Sequence, residues 1–236
     1  MEKGYDYRDC ADYTLVIPAY NEEERIGVVL EDLKSSPARF IFISDGNDRT
    51  SDLIMDFSSR NPAVHIQLEH HGKRRGKGKA ILEGLRMADT PIIGFMDADG
   101  STSLQEMERL VSQINDADGV IGSRWLSGSE LPRKQELSRQ IQSRVFNLFI
   151  RVLFGLPFKD TQCGAKVFKK SAIDAVIDDM VSSGFEFDVE LLWRLCRKGC
   201  RIRELPIRWT NMGDSRVKRS DVGGMLAGLI KLRVHG

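Results

Sequence analysis

The chain has 236 residues, with 35 basic and 34 acidic side chains and a formal net charge of +1. Its length allows one large domain with a substantial core, and its 41% hydrophobic content excludes wholesale disorder. The balanced charge excludes a general attraction to nucleic acid or anionic membranes, so any such attraction must come from a local patch.

No targeting signal or membrane span is visible in the sequence. The first residues, MEKGYDYRDCADY, are polar and charged, unlike a secretory signal. The most apolar segment, 145–158, is shorter than the ~20 residues that span a bilayer, and it contains Arg151. We therefore expect a cytoplasmic protein that does not cross a membrane.

The four cysteines, at positions 10, 163, 196 and 200, lack the spacing of a disulfide framework or a zinc site. Cys196 and Cys200 are four residues apart on a predicted helix and could hold a metal together with two further ligands. No such ligands stand near them in the sequence, so buried free thiols in a reducing compartment are the favoured interpretation.

The first half of the chain alternates apolar runs with amphipathic ones. The apolar runs predict buried strands, and the amphipathic patterns between them predict helices. The strands are expected at 13–17, 39–44, 64–68, 91–96 and 119–123, and the helices at 22–35, 50–60, 78–89 and 103–115. This alternation indicates an α/β protein with a mostly parallel central sheet and helices on both faces.

The second half has longer helical patterns and shorter strand patterns. Helices are expected at 138–154 and 186–199, strands at 165–169 and 201–209, and a last amphipathic segment at 221–234. No repeat, low-complexity tract or Pro/Gly linker interrupts the chain. We expect a single domain over residues 1–236.

Polar segments follow three of the predicted strands: PAYNE (18–22), SDGND (44–48) and DADG (97–100). Ligands of parallel α/β sheets bind at the carboxyl ends of the strands, so we expect the three segments to share one crevice. PAYNE contains no glycine, which excludes a dinucleotide-binding turn or a P-loop.

Side chains of these segments could contact a nucleoside. Tyr20 could stack on a base, and Glu22 could accept a hydrogen bond from the base or a ribose hydroxyl. The alternative is structural: Tyr20 would fill a gap in the core as an aromatic plug, and Glu22 would belong to a helix-capping turn. Asp45 could reach the same ligand, although Asp-Gly is also a common turn dipeptide.

The segment HHGKRRGKGKA, residues 70–80, holds five cations and three glycines between a predicted strand and a predicted helix. Its pliable backbone could close over a diphosphate. A nucleic-acid patch is disfavoured because no aromatic residues are interleaved, and a merely solvated charged loop is the other alternative. The cations are Lys73, Arg74, Arg75, Lys77 and Lys79.

Asp97 and Asp99 end the fourth apolar run, with Ala98 between them. Because strand side chains alternate between faces, the two carboxylates should lie on one side of the strand end. Such a pair repels itself unless a cation is near. Mg²⁺ is bound by one or two carboxylates together with substrate phosphate oxygens. The pair therefore predicts a divalent cation, Mg²⁺ or Mn²⁺.

Taken in order, VIPAYNEE, DG, GKGKA, MDAD and VIGSR resemble the family-2 glycosyltransferases, which have the Rossmann-like GT-A fold. The later segments DTQCGAKVF, FEFDVELLWRLCRKGCRIRELPIRW and DSRV resemble the dolichyl-phosphate glucose and mannose synthases of that family. The resemblance spans roughly residues 13–233. It implies a nucleotide-sugar half at about 13–123 and an acceptor half at about 124–236, which ends in an amphipathic helix.

The resemblance also implies roles for individual residues. Those that would bind the donor are Pro18, Ala19, Tyr20, Glu22, Ile43, Asp45, Lys77, Asp97, Ala98 and Asp99, with Asp97 and Asp99 as the metal ligands. Those that would act in catalysis, most of them near the acceptor phosphate, are Asp99, Arg124, Lys134, Arg139 and Arg216. Arg133 is an alternative to Lys134 and Arg139.

The sequence departs from its relatives at several positions. Ser44 replaces a second aspartate of many relatives, and Ser101 replaces a glutamine of the mannose synthases. We expect no transmembrane tail after the domain, although many relatives have one. Leu205 stands where processive synthases carry glutamine before Arg208-Trp209, so we do not expect chain polymerisation.

The implied reaction is the inverting transfer of a hexose from UDP-glucose or GDP-mannose to dolichyl or polyprenyl phosphate. A phosphate monoester is mostly a dianion at pH 7, so it needs positioning rather than a general base. We therefore expect Asp188 and Glu190 to serve folding. The alternatives are a soluble hydroxyl or phosphorylated acceptor, and a non-catalytic nucleotide-binding or membrane-associated subunit.

A lipid acceptor implies peripheral contact with the cytoplasmic face of a membrane, where a membrane partner subunit could also act. Nucleic-acid binding is not expected. One face of the segment 221–234 is apolar and could lie in the membrane interface, together with 145–158. Packing of that face against the domain is an equal alternative. The apolar residues are Val222, Met225, Leu226, Leu229 and Ile230.

Overall fold

The computed structural model describes residues 13–132, 137–184, 186–212 and 228–234, with only the backbone described over 137–143. A seven-stranded sheet has the order β3-β2-β1-β4-β6-β5-β7. Six strands make parallel pairs, and β6 runs antiparallel to both of its neighbours. The strands are β1 (Tyr13–Tyr20), β2 (Arg39–Asp45), β3 (His65–His71), β4 (Ile92–Phe95), β5 (Gly119–Ser123), β6 (Lys166–Lys169) and β7 (Ile202–Pro206).

Helices connect the strands, and none in the described ranges combines the length and apolar character needed to cross a membrane. Short 3₁₀ turns lie at Leu33–Ser35 and Ile177–Asp179, and residues 228–234 are helical. The α-helices are α1 (Ile26–Asp32), α2 (Thr50–Arg60), α3 (Lys77–Met87), α4 (Leu104–Ser112), α5 (Leu137–Phe154), α6 (Lys170–Asp174) and α7 (Phe187–Arg197).

Two hydrophobic clusters lie on opposite faces of the sheet. Because side chains alternate along a strand, Val16 packs into one cluster while Leu15 and Ile17 pack into the other. The cluster around Val16 includes apolar residues of α3, α5, α6 and α7, and the second includes those of α1, α2 and α4. The predicted α/β class, with a mostly parallel sheet between two helical layers, is confirmed.

The structure differs from the predicted elements in several bounds and in the number of helices. β3 extends to His71, so the basic segment 70–80 begins inside a strand. The short helix α6 was not predicted. In the described part of the predicted helix 221–234, Leu229 is fully buried whereas Ile230 is 51% exposed. The remaining apolar positions of that helix, from Val222 to Leu226, lie outside the described residues.

The register of the strands brings several chain segments to one edge. Tyr20 lies opposite Asp45, and Asp45 lies opposite His71, at the carboxyl ends of three parallel strands. β4 ends beside them at Phe95. The antiparallel strand β6 begins at this same edge, because its first residue, Lys166, lies opposite Phe95. The carboxyl ends of β1, β2, β3 and β4 and the segment that leads into β6 therefore lie at the same edge.

Candidate active site

The ends of β1 and β2 carry Tyr20 and Asp45, and the basic segment covers both. The guanidinium of Arg74 lies 4.8 Å from the centroid of the Tyr20 ring. Arg75 donates to Asp45 from its backbone N–H at 2.7 Å and from Nε at 3.1 Å. Its Nη2 donates to Glu83 of α3 at 2.6 Å. Burial would lower the pKa of Arg75, but Glu83 and Asp45 outweigh burial and raise it.

Glu22 lies in the turn that precedes α1. Its backbone carbonyl accepts the N–H groups of Arg25 and Ile26 at 2.9 and 2.8 Å, and its carboxylate accepts Nε of Arg25 at 2.7 Å. Its own N–H donates to Thr50 Oγ1 at 2.8 Å. The N-cap residue of α1 is Arg25, and no side-chain capping hydrogen bond is made there, so Glu22 contributes its backbone carbonyl and its pairing with Arg25 to this turn. A contact between Glu22 and a nucleoside stays a prediction.

Other residues assigned to the donor lie deeper in the fold. Ile43 is fully buried in a hydrophobic cluster, and Ala19 and Ala98 are 3% and 4% exposed. Their side chains pack the core, so any contact that they make with a ligand uses the backbone. Pro18 is half-buried in β1.

Asp97 and Asp99 lie beyond the strand, because β4 ends at Phe95, and Asp99 belongs to the turn that follows. The alternation of strand side chains is therefore not what brings the two carboxylates together. Asp99 Oδ1 accepts the N–H of Ser101 at 2.9 Å, and Gly100 between them has φ +74°. The turn itself, with its glycine in the left-handed region, orients Asp99.

The ammonium of Lys77 is the centre of a buried charge cluster. Lys77 Nζ lies 2.7 Å from Asp97 Oδ1 and 4.0 Å from Asp188 Oδ2. Burial would lower the pKa of Lys77, but Asp97, Asp188 and Asp99 outweigh burial and raise it. The charges of Asp97 and Asp99 therefore both act on Lys77, and binding of one metal by the two carboxylates stays a prediction.

Lys166, the first residue of β6, belongs to the same charge cluster. It is fully buried, and its Nζ donates to Asp188 Oδ1 and to the Cys163 carbonyl, each at 2.5 Å. Burial would raise the pKa of Asp97, but Lys77, Lys166 and Arg124 outweigh burial and lower it. The Asp97 carboxylate is consequently ionised at neutral pH, as a metal ligand must be.

These residues fit a divalent cation that arrives with a diphosphate. In the described ranges no group of three or more His, Cys, Asp or Glu side chains is arranged to hold a metal. Two carboxylates completed by phosphate oxygens suit Mg²⁺ or Mn²⁺, because these ions take few protein ligands when they bind with a nucleotide. Asp97 and Asp99 would supply those two carboxylates.

Arg124 follows β5 and is held by an acid. Its Nε and Nη2 donate to the two oxygens of Asp160 at 2.7 and 2.9 Å, and its backbone N–H donates to Asp160 at 3.0 Å. The guanidinium also lies 5.6 Å from the Trp125 ring and 5.4 Å from the Trp209 ring. Nη1 takes no part in these hydrogen bonds to Asp160.

The segment 160–165 was not recognised as part of the site from its residue types. Glu204 accepts the N–H of Asp160 at 2.7 Å, and Asn147 accepts the N–H and the hydroxyl of Thr161 at 3.2 and 3.0 Å. Burial raises the pKa of the Cys163 thiol to about 12, so this thiol is not a nucleophile. The signal available in the sequence was Lys166, a lysine that opens an apolar strand.

Three predicted catalytic residues cannot be placed against this site. Lys134 and Arg216, like Arg133, lie outside the described residues, and Arg139 belongs to the part of α5 whose side chains are not described. Their proximity to an acceptor stays a prediction. The structure unites Asp97, Asp99 and Lys77, and it places Arg124 close enough for its charge to act on Asp97.

A mostly parallel sheet with one antiparallel strand beside an Asp-x-Asp segment is the arrangement expected from the resemblance to the GT-A glycosyltransferases. The sequence pattern of the family described as Glycosyl transferase family 2 matches residues 14–177. The chain belongs to that family.

Characterised relatives cover most of the chain. A dolichyl-phosphate beta-glucosyltransferase of Trichomonas vaginalis is 30% identical over 94% of this chain and 71% of its own length. An undecaprenyl-phosphate mannosyltransferase of Micrococcus luteus is 30% identical over 88% of each chain. The glycosyltransferase AglD of Haloferax volcanii is also 30% identical, but this chain spans only 34% of it.

Solved structures share the fold at lower identity. Glucosyl-3-phosphoglycerate synthase of Mycobacterium tuberculosis, with Mn²⁺, UDP-glucose and phosphoglyceric acid, has a TM-score of 0.69 and 14% identity, covering 98% of this chain and 84% of that one. The mannosyltransferase PcManGT of Pyrobaculum calidifontis, with GDP-Man and Mn²⁺, has a TM-score of 0.64 and 18% identity, covering 94% and 62%.

Proposed function

We propose that this chain is an inverting hexosyltransferase that moves a sugar from a nucleotide-diphosphate donor to a polyprenyl phosphate. The observation that carries the proposal is the meeting of Asp97, Asp99 and Lys77 at the carboxyl edge of the sheet. Ligands of parallel α/β sheets bind at this edge. The relatives named as dolichyl-phosphate and undecaprenyl-phosphate transferases supply the acceptor class.

The donor nucleoside would lie at the ends of β1 and β2, against Tyr20 and Asp45. Arg74 lies over the Tyr20 ring, and Arg75 holds Asp45. A base that stacks on that face of Tyr20 must displace Arg74, which would then be free to meet the diphosphate. The basic segment would thereby exchange contacts with the protein for contacts with phosphate oxygens.

The metal would be bound by Asp97 and Asp99, and the Mn²⁺ in the related structures supports a divalent ion in this role. Such an ion would neutralise the negative charge that develops on the departing nucleoside diphosphate. Lys77 contributes a second positive charge at the same place. Since Asp97 is ionised, no proton has to leave it before a cation binds.

The acceptor phosphate would be held by Arg124 Nη1, together with the predicted cations Lys134, Arg139 and Arg216. A phosphate dianion attacks without a general base. Glu190 suits a structural role, because it accepts the N–H groups of Val181 and Ser182 and pairs with Arg194.

A lipid acceptor requires a surface that meets a membrane, and α5 provides one. Its exposed apolar side chains lie three or four residues apart and form one helix face. The helix contains arginines but no acidic residue. We propose that this face rests on the cytoplasmic side of an anionic membrane. The exposed residues are Val145 (62%), Leu148 (56%), Phe149 (39%) and Val152 (78%).

The test is a matrix of radiolabelled UDP-glucose, GDP-mannose and other nucleotide sugars against dolichyl phosphate, undecaprenyl phosphate and soluble phosphorylated acceptors. We expect label in the organic phase with a polyprenyl phosphate, and a β-linked product by NMR from an α-linked donor. Label transferred only to soluble acceptors would favour the alternative acceptor class. Absence of both transfer and donor hydrolysis would favour a non-catalytic subunit.

A further inference from the structure

Lys77 lies between two carboxylates that come from different parts of the fold. Asp97 follows β4 and Asp188 lies on α7, and the Lys77 ammonium is 2.7 Å from the first and 4.0 Å from the second. Its side chain is 18% exposed. A single ammonium could therefore pair with either carboxylate after a small rotation about its side-chain bonds.

The backbone beneath Lys77 is held firmly. The carbonyl of Ser183 accepts the N–H groups of Gly78 and Lys79 at 3.1 and 3.4 Å. A Cβ added at Gly78 would lie 2.8 Å from Phe187 Cβ, so the first turn of α3 packs directly against the start of α7. The start of α3 thus remains next to Asp188 while the lysine side chain changes partner.

Asp188 is positioned to receive that side chain. Its Oδ1 accepts the buried Lys166 ammonium at 2.5 Å, while Oδ2 is the oxygen nearest Lys77. Asp188 is 2% exposed. Because Lys166 fixes one oxygen, the carboxylate keeps its other oxygen turned toward Lys77.

Resting on the proposed function, we propose that Lys77 is a tethered counter-ion that holds Asp97 until a divalent cation and a nucleoside diphosphate bind together. Lys77 then leaves Asp97 for Asp188 and the diphosphate. Asp188 is a positioning residue that makes this exchange possible. The expected consequence is that the metal and the nucleotide bind cooperatively.

The charges of the cluster give the reason. Asp97, Asp99 and Asp188 are three acids, and Lys77 and Lys166 are two bases, so the cluster has a net charge of −1. A divalent cation that binds Asp97 and Asp99 without a nucleotide makes this net charge positive and meets the Lys77 ammonium on the Asp97 carboxylate, and like charges at this separation repel strongly. A diphosphate supplies the missing negative charge. By thermodynamic linkage, the nucleotide must then be bound more tightly when the metal is present.

The experiment measures Mn²⁺ binding to the full chain by electron paramagnetic resonance, without nucleotide and with UDP or GDP. For the unmodified protein, we expect one nucleotide to tighten Mn²⁺ binding about tenfold or more. Lys77→Met removes the charge and keeps the length. This variant should bind Mn²⁺ alone about tenfold more tightly than the unmodified protein, because the competing hydrogen-bonded cation is gone. The nucleotide should increase the Mn²⁺ affinity of this variant less than it increases that of the unmodified protein.

Two further variants complete the test. Lys79→Met removes an exposed lysine two residues along the same helix and, measured without nucleotide, should bind Mn²⁺ like the unmodified protein. Asp188→Asn keeps an oxygen for Lys166 but weakens the second partner of Lys77. It should therefore weaken Mn²⁺ binding in the presence of nucleotide. Thermal unfolding of each variant checks that it is folded.

If the unmodified protein binds Mn²⁺ with nucleotide but Lys77→Met binds Mn²⁺ alone no more tightly, the counter-ion role is wrong and the metal site of the proposed function stands. Equal tightening in Lys77→Met and Lys79→Met would also overturn it, since a general loss of positive charge would then explain the result. Failure of every protein to bind Mn²⁺ under all conditions would overturn both the counter-ion and the metal in the proposed function.

Discussion

Asp160 and Arg124 form a buried ion pair in which the acid accepts three hydrogen bonds from the same residue. Nε, Nη2 and the backbone N–H of Arg124 donate to it at 2.7, 2.9 and 3.0 Å. Asp160 is fully buried, and the Arg124 side chain is 15% exposed. The pair fixes the direction of the guanidinium, so the cation assigned to the acceptor phosphate is also part of the core.

Arg124→Ala should therefore reduce both activity and stability. Removing one partner of a buried ion pair leaves an uncompensated charge and costs about 3–5 kcal/mol. We expect a loss of about 3 kcal/mol or more in the free energy of unfolding, measured with urea, and a severe loss of transfer. Arg144→Ala is the control, because Arg144 lies over the same Trp125 ring at 5.1 Å but is exposed.

A double variant separates the two effects. Arg124→Ala with Asp160→Ala removes both charges, so part of the stability should return while transfer stays low. If the double variant is no more stable than Arg124→Ala alone, the stranded Asp160 carboxylate is not the source of the loss.

Asp160 should also make stability depend on pH in the acid range. Burial would raise the pKa of Asp160, but Arg124 outweighs burial and lowers it below the ordinary 3.8. A group with a lowered native pKa stabilises the fold above its unfolded pKa, and this contribution is lost as the pH falls through the native pKa. Urea unfolding between about pH 7 and about pH 3 should show this decline, and Asp160→Asn should flatten it. An equally steep decline in Asp160→Asn would assign the effect to other acids.

Asp99 should be required for metal-dependent transfer. Asp99→Ala removes a proposed ligand and the acceptor of the Ser101 N–H. The rate should fall about 100-fold or more, and excess EDTA should abolish the activity of the unmodified protein. Asp99→Asn keeps the turn hydrogen bond, so it should fold normally and still lose most of its activity. Full activity in EDTA would remove the metal from the mechanism.

Gly164 should be sensitive to the smallest substitution. A Cβ at this position would lie 2.0 Å from Asp97 Oδ2, so Gly164→Ala must displace a proposed metal ligand. Misplacement of a reacting group by about 1 Å can cost about 100-fold, and we expect a rate loss of about 10-fold to 100-fold. Gly27→Ala on α1, where a Cβ would meet nothing within 4 Å, should leave the rate unchanged. Equal rates for the two variants would contradict the close contact.

The exposed face of α5 should control binding to membranes. Leu148→Glu with Val152→Glu should lower partition onto phosphatidylglycerol vesicles about tenfold or more, because each buried aliphatic side chain contributes about 1.5–3 kcal/mol. Met55→Glu changes an exposed apolar residue on α2 and is the control. Unchanged sedimentation of the double variant would show that another surface meets the lipid.

The sequence by itself determined the strands of the first half and the edge at which their polar residues meet. Alternation of buried side chains and the order of strands and helices are local properties, and parallel strands place their carboxyl ends together. Tyr20, Asp45 and the segment around Asp97 can therefore be assigned to one edge from the sequence alone. The structure confirmed the fold class that this argument predicted.

The tertiary structure alone decided which charges pair. Arg75 holds Asp45 across 30 residues, Lys166 holds Asp188 across 22, and Arg124 holds Asp160 across 36. These partners are far apart in the sequence and do not follow the repeat of a helix or a strand, so residue spacing cannot predict the pairs. The reversal of β6 was equally hidden, because a four-residue strand has no signal for its direction. That reversal delivers Asp160 and Lys166 to the site, since an antiparallel strand begins at the edge where its neighbours end.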